Sequence, residues 1–198
     1  MVGILGLVRF RQLRPSLRYL VGLIWLGLAM DFLGQVMIKL RLPNHFLFPF
    51  WFAGLVGLLT LVYHRGLPAG RPRQLMSVVA GAFVAYALFR GIFLFKLIGL
   101  HPGLQVGANL VLLGLVGVYF HHLLQELRAQ PLRRDPLFWV SVGVLVFALG
   151  DLLIGLFSNY VLAHYSKEFF LAMWNVHNLL SIVLYLCYGL ALWMRPRK

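Results

Sequence analysis

The sequence predicts an all-α, polytopic membrane protein, a six-helix transmembrane bundle, on three observations. Six apolar runs are each long enough to cross a bilayer. Of the 198 residues, 61% are hydrophobic and only 12% are charged, where soluble domains average about 45–50% and about 25%. The basic residues behind the net charge of +13 sit in short patches between apolar runs. No continuous basic stripe forms, which argues against nucleic acid as a partner. A single transmembrane domain, 1–198, uses the whole length, and no soluble catalytic domain is expected.

The first span is expected at 19–38, after Arg9, Arg11, Arg14 and Arg18. Twenty residues at about 1.5 Å each cover the roughly 30 Å hydrocarbon core. It is too long for the core of a secretory signal and is read as a retained helix. The second span, 46–63, is aromatic at both edges, Phe46 to Phe52 at one end and Tyr63 at the other. Such residues suit the headgroup level. A turn-rich basic connection from His64 to Arg73 leads to the third span, 75–97. The fourth, 104–124, follows the tight turn at His101-Pro-Gly103. Pro136 opens the fifth, 137–160, as suits a helix start, and the sixth is 169–194.

Counting Lys and Arg gives the orientation. With a cytoplasmic N-terminus, thirteen basic residues fall inside. They precede span one and occupy 65–73, 128–134 and the C-terminus. Four fall outside (Lys39, Arg41, Lys96 and Lys167), and Arg90 lies within span three. The positive-inside rule then predicts N-in and C-in, with basic flanks attracted to anionic inner-leaflet lipid.

Ionisable side chains at bilayer depth normally face a bundle interior or a wet cavity. Asp31, Arg90 and Asp151 lie at comparable heights, and the last span carries Asn175, His177 and Asn178. The expectation is one polar cluster in which Arg90 neutralises a carboxylate and His177 bonds or flanks the other. Gln35 shares a face with Asp31 one turn on, and Asn109 approaches the outer rim. Asn175 and Asn178 share a face that Ser181 continues. Two readings stay open: a ligand or ion cavity, and a network that only holds helices together.

Other chemistry finds little support. Cys187 is the single cysteine, so neither an intrachain disulfide nor a cysteine cluster is available. His121 and His122 are adjacent and diverge on a helix. No zinc, nucleophile-elbow, phosphate-loop or dinucleotide motif is present, so no cofactor, metal site or catalytic residue is expected. Ser158 and Ser181 lack a nucleophile–base spacing. Glycines are frequent within the spans and permit close helix contact, without a GxxxG motif among Gly54, Gly57, Gly114 and Gly117.

The lead-in Phe10-Arg-Gln-Leu-Arg-Pro-Ser16, Asp31, the run Asp135-Pro-Leu-Phe-Trp-Val140 and Trp174-Asn-Val-His-Asn178 carry a resemblance. Tyr185 and Leu192-Trp193 add to it. In these features the chain resembles small uncharacterised multi-pass membrane proteins of the Bacteroidota. It also resembles the membrane-sensor regions of that phylum's signalling proteins. The resemblance implies an all-helical bundle in the bacterial inner membrane with a sensory role. The sequence departs from the sensor pattern in carrying no output domain, so a separate signalling or membrane-protein partner would dock at the basic cytoplasmic face. The first functional expectation is a receptor-like or accessory bundle with an outward-opening polar pocket. The alternatives are a small ion-coupled transporter, for which homodimer assembly would supply further helices, and a structural membrane subunit in contact with lipid alone.

Overall fold

The computed structural model describes residues 2–42, 44–93, 102–125, 135–164 and 167–194. Every regular element among them is helical: α1 (Val2–Val8), a 3₁₀ turn (Phe10–Gln12), α2 (Pro15–Lys39), α3 (Leu47–Gly66), α4 (Arg71–Phe93), α5 (Pro102–Gln125), α6 (Pro136–His164) and α7 (Lys167–Trp193). Six of these helices, α2 to α7, are long and apolar enough to cross a membrane. The protein is a multi-pass integral membrane protein. Each span begins and ends within four residues of its expected limits wherever the limit is described. The end of the third expected span, with Lys96, falls outside the described residues, as do His101, Arg128, Arg133, Arg134 and the C-terminal basic group.

Local chemistry sets several helix starts. Proline is the first residue of α2, α5 and α6, where its missing N–H costs no hydrogen bond and its fixed φ suits a helix. Asp135 caps α6, its Oδ1 accepting from the Leu137 N–H at 3.1 Å. Tyr119 donates its hydroxyl to the other carboxylate oxygen at 2.9 Å, which ties the end of α5 to the start of α6.

Consecutive spans pack side by side from α2 to α7, and α3 also touches α5, so α3 and α5 each meet three other spans. The core lies in the half nearer the basic ends and includes Leu20, Val56, Leu59, Leu112, Val116 and Val140, all at most 1% exposed. At the α6–α7 contact a Cβ on Gly143 would stand 2.7 Å from the Cβ of Cys187. Only glycine permits that approach.

The short helix α1 has no counterpart in the expected spans. It packs against both α2 and α7, with Gly3 over Ile24 and Leu28, Gly6 over Val21, and Val2 beside Gly189. Arg9 pins its end to α7, donating to the Trp193 carbonyl at 2.9 Å and lying over that indole at 5.1 Å. With seven residues, about 10 Å long, α1 fills the seam between α2 and α7 only in its lower half.

Candidate functional site

Above α1 the seam stays open. On α2, Asp31 lies within about 20° of Leu20 and Ile24 at 100° per residue. Those two side chains are buried, yet Asp31 is exposed. On α7, His177 shares a stripe with Leu184, Tyr188 and Ala191, all buried, yet His177 is 28% accessible. Both inward stripes therefore lose their cover at the same height. We read this as a cleft, with Asp31 on its α2 side and His177 on its α7 side. Its floor is Tyr185, whose hydroxyl sits 2.7 Å from where a Cβ on Gly27 would be, with the Trp51 ring alongside. Glycine at 27 is what lets that hydroxyl reach α2.

Behind His177 lies a polar relay. Its Nδ1 is 2.7 Å from Asp151 Oδ1, and Asn109 Nδ2 donates to Asp151 Oδ2 at 2.8 Å. Gln105 donates to the Asp151 carbonyl at 3.4 Å. Asp151 is 2% exposed and Asn109 1%. Buried charge in hydrocarbon persists only with such partners. Counted along their helices from the basic end, Asp31, Asn109, Asp151 and His177 all stand about 22–24 Å up. Phe147 and Trp174 pack edge-on against the imidazole, with ring centres at 5.7 and 5.5 Å, and hold its orientation. With Asp151 ionised, Nδ1–H donates to it and Nε2, on the opposite side of the ring, is left as a base. The arrangement can hold a proton, release it, and bind a donor or a cation.

Of the eight expected site residues, Asn109, Asp151 and His177 are in direct contact, and Asp31 faces them across the cleft. Among the described residues Arg90 pairs with no carboxylate: its guanidinium donates to the Tyr86 hydroxyl at 3.2 Å, one turn back on its own helix. Asn175 and Asn178 are exposed. The inward stripe of α7 runs through His177, so of the two roles left open for it the histidine bonds the carboxylate, and the asparagines flank. Gln35 is exposed one turn beyond Asp31, toward the cleft mouth. Asn109 belongs to the buried centre and not to an outer rim. Gln105 was missed, although it stands one turn before Asn109 on the same face. Ser181 donates to the His177 carbonyl at 3.0 Å, so its hydroxyl is committed to backbone. The side chain of Ser158 lies outside the described residues.

A second polar feature sits at the basic end. There Arg14, Ser16, Tyr119, His122 and Asp135 line a cavity of about 120 Å³. Packed side chains separate it from the cleft. Tyr63 is buried and shares a hydrogen bond of 3.0 Å with Ser141, which corrects the expectation of a headgroup-level tyrosine. Tyr188 is buried beside Tyr185, ring centres 6.1 Å apart, and its hydroxyl has no hydrogen-bond partner. Among the described residues no three His, Cys, Asp or Glu side chains converge on a metal-sized space.

Comparison with family models, with curated proteins and with solved structures finds no match to this chain.

Proposed function

We propose that this membrane protein is a receptor-like or accessory bundle of the bacterial inner membrane, with its basic end on the cytoplasmic side. The cleft between α2 and α7 is its ligand site and opens away from the cytoplasm. One observation carries this reading: Asp31 lies on the inward face of α2 and is nevertheless accessible, opposite a histidine held by a buried carboxylate. A residue on that face would be covered if the bundle were only a scaffold. The basic end then faces the cytoplasm, where the cavity beside Arg14 and Asp135 is open to a separate signalling or membrane-protein partner.

The test is a thermal-shift screen of small solutes and amphiphiles on the purified protein, repeated on Asp31→Asn and His177→Gln. Stabilising compounds are expected to lose their effect in both variants. Hits that stabilise parent and variants equally would refute the cleft as the site.

Ion-coupled transport is the second reading. Its support is the pairing of a protonatable relay, Asp151 and His177, with polar openings at both ends of the bundle, separated by the layer of Tyr63, Ser141 and Tyr188. Proteoliposomes under a proton gradient should then show solute flux that Asp151→Asn abolishes. Flux absent across a broad solute panel would leave only the binding role.

A further inference from the structure

We infer that the cleft takes an organic cation, an ammonium group carried on a small apolar body. This rests on the reading of the cleft as a ligand site and adds the chemistry of the ligand. The argument begins with charge. The cleft and its relay hold two carboxylates, Asp31 and Asp151, and one imidazole, His177. Asp151 is satisfied by His177 and Asn109. When both acids are ionised and His177 is protonated, the group as a whole carries one negative charge, and it sits on Asp31. The other described cation at a similar height, Arg90, is committed to Tyr86 by its hydrogen bond and lies 5.9 Å from that ring centre. An uncompensated carboxylate about 24 Å from the basic end of its helix is costly. Among the described side chains no further cation stands opposite Asp31, and a bound cation would supply that charge.

The surroundings of Asp31 select the kind of cation. A bare metal ion needs several oxygen ligands, and among the described residues no three His, Cys, Asp or Glu side chains gather to supply them; the floor adds the Tyr185 hydroxyl, one turn below Asp31 beside Gly27. An ammonium group needs less: a carboxylate, a hydroxyl and aromatic faces, whose π clouds attract a cation. Tyr185 and Trp51 meet over Gly27 at the floor and provide those faces. An anionic ligand would meet two carboxylates, and a neutral one would leave the charge of Asp31 standing.

The experiment uses the full chain in nonionic detergent at neutral pH, with tryptophan fluorescence as the readout. Benzylamine, octyltrimethylammonium and tetraethylammonium are titrated against benzyl alcohol, octanol and sodium chloride. At least one ammonium compound is expected to bind saturably, at least tenfold more tightly than its neutral counterpart. Asp31→Asn should weaken it at least tenfold, and Asp31→Glu should restore most of the loss. Tyr185→Phe, which keeps the ring, should weaken it severalfold and serves if Asp31→Asn does not fold. Equal binding of neutral counterparts, or of the charged probes to Asp31→Asn, overturns the inference. A response to sodium chloride alone assigns the site to an inorganic cation and overturns it too. Should no ammonium compound bind while other compounds depend on Asp31 and His177, the cleft stands and only its cation chemistry fails. Dependence of no ligand on either residue removes both.

Discussion

His177 on α7 and Asp151 on α6 are joined by a contact of 2.7 Å, and Asn109 on α5 holds the far oxygen of the same carboxylate at 2.8 Å. Three helices are thus tied by one side chain. The consequence is testable as a coupling. Asp151→Leu strands both the imidazole and the Asn109 amide, whose Oδ1 already lacks a partner. Polar contacts between membrane helices are worth about 0.6–1.7 kcal/mol each, so the single variant is expected to lose about 1–2 kcal/mol. Asn109→Leu combined with Asp151→Leu should cost clearly less than the two singles added, because the pair replaces both partners by apolar groups. Thermal unfolding in detergent measures the cycle. Simple additivity would mean that the 2.8 Å contact contributes nothing to stability.

Two tyrosines predict opposite outcomes for one chemical change. Tyr63→Phe removes a hydrogen bond to Ser141, whose hydroxyl keeps its bond to the Leu137 carbonyl at 2.8 Å. The expected loss is about 1 kcal/mol. Tyr188→Phe removes a buried hydroxyl without a partner and should leave stability unchanged or raise it by about 1 kcal/mol. Melting temperatures in the same detergent decide the matter. A marked loss in Tyr188→Phe would reveal a water bound to that hydroxyl.

The spans were legible because each is a continuous apolar run, and a bilayer requires length and hydropathy far more than pattern. What could not be read is which way α7 turns. Lipid-facing and core-facing residues are both apolar, so the periodicity that marks the inside of a soluble helix is weak here. Leu179 is exposed and Leu184 buried, and nothing in their chemistry distinguishes them. His177 and Asn178 therefore competed for the cleft on equal terms, and only the neighbouring helices decided between them. Tyr63 was placed at the headgroup level by its nearness to a span end, whereas its ring turns toward Tyr119 at 6.2 Å and Ser141. The helix α1 was overlooked because Val2–Val8 is far shorter than a span and carries no charge, the basic lead-in beginning only at Arg9. Yet α1 decides where the cleft begins.

Glycines abundant in the spans are not equivalent. A Cβ at Gly143 would press 2.7 Å from the Cβ of Cys187, an atom fixed to its backbone, whereas one at Gly117 would meet nothing within 4 Å. Gly143→Ala must push α6 and α7 apart and is expected to cost about 1–3 kcal/mol. The relay between Asp151 and His177 bridges the same two helices, so ligand binding at the cleft should weaken with it. Gly117→Ala should be neutral or stabilising by up to about 1 kcal/mol, since alanine is the better helix former. Equal melting temperatures for the two variants would show that α6 and α7 are not packed as closely as described.

The orientation follows from a charge asymmetry and has its own test. Thirteen basic residues flank one set of span ends and four the other, from which the positive-inside rule predicts a cytoplasmic basic end and a cleft mouth outside. Two exposed turn positions report the two sides, Leu42 after α2 and Ala69 before α4. In a Cys187→Ser background, a cysteine replacing Leu42 should react with a membrane-impermeant maleimide in spheroplasts with an intact inner membrane. A cysteine replacing Ala69 should react only after permeabilisation. The reverse pattern would turn the cleft toward the cytoplasm. Ligands would then reach Asp31 from within the cell, and the cavity beside Arg14 would become the external feature.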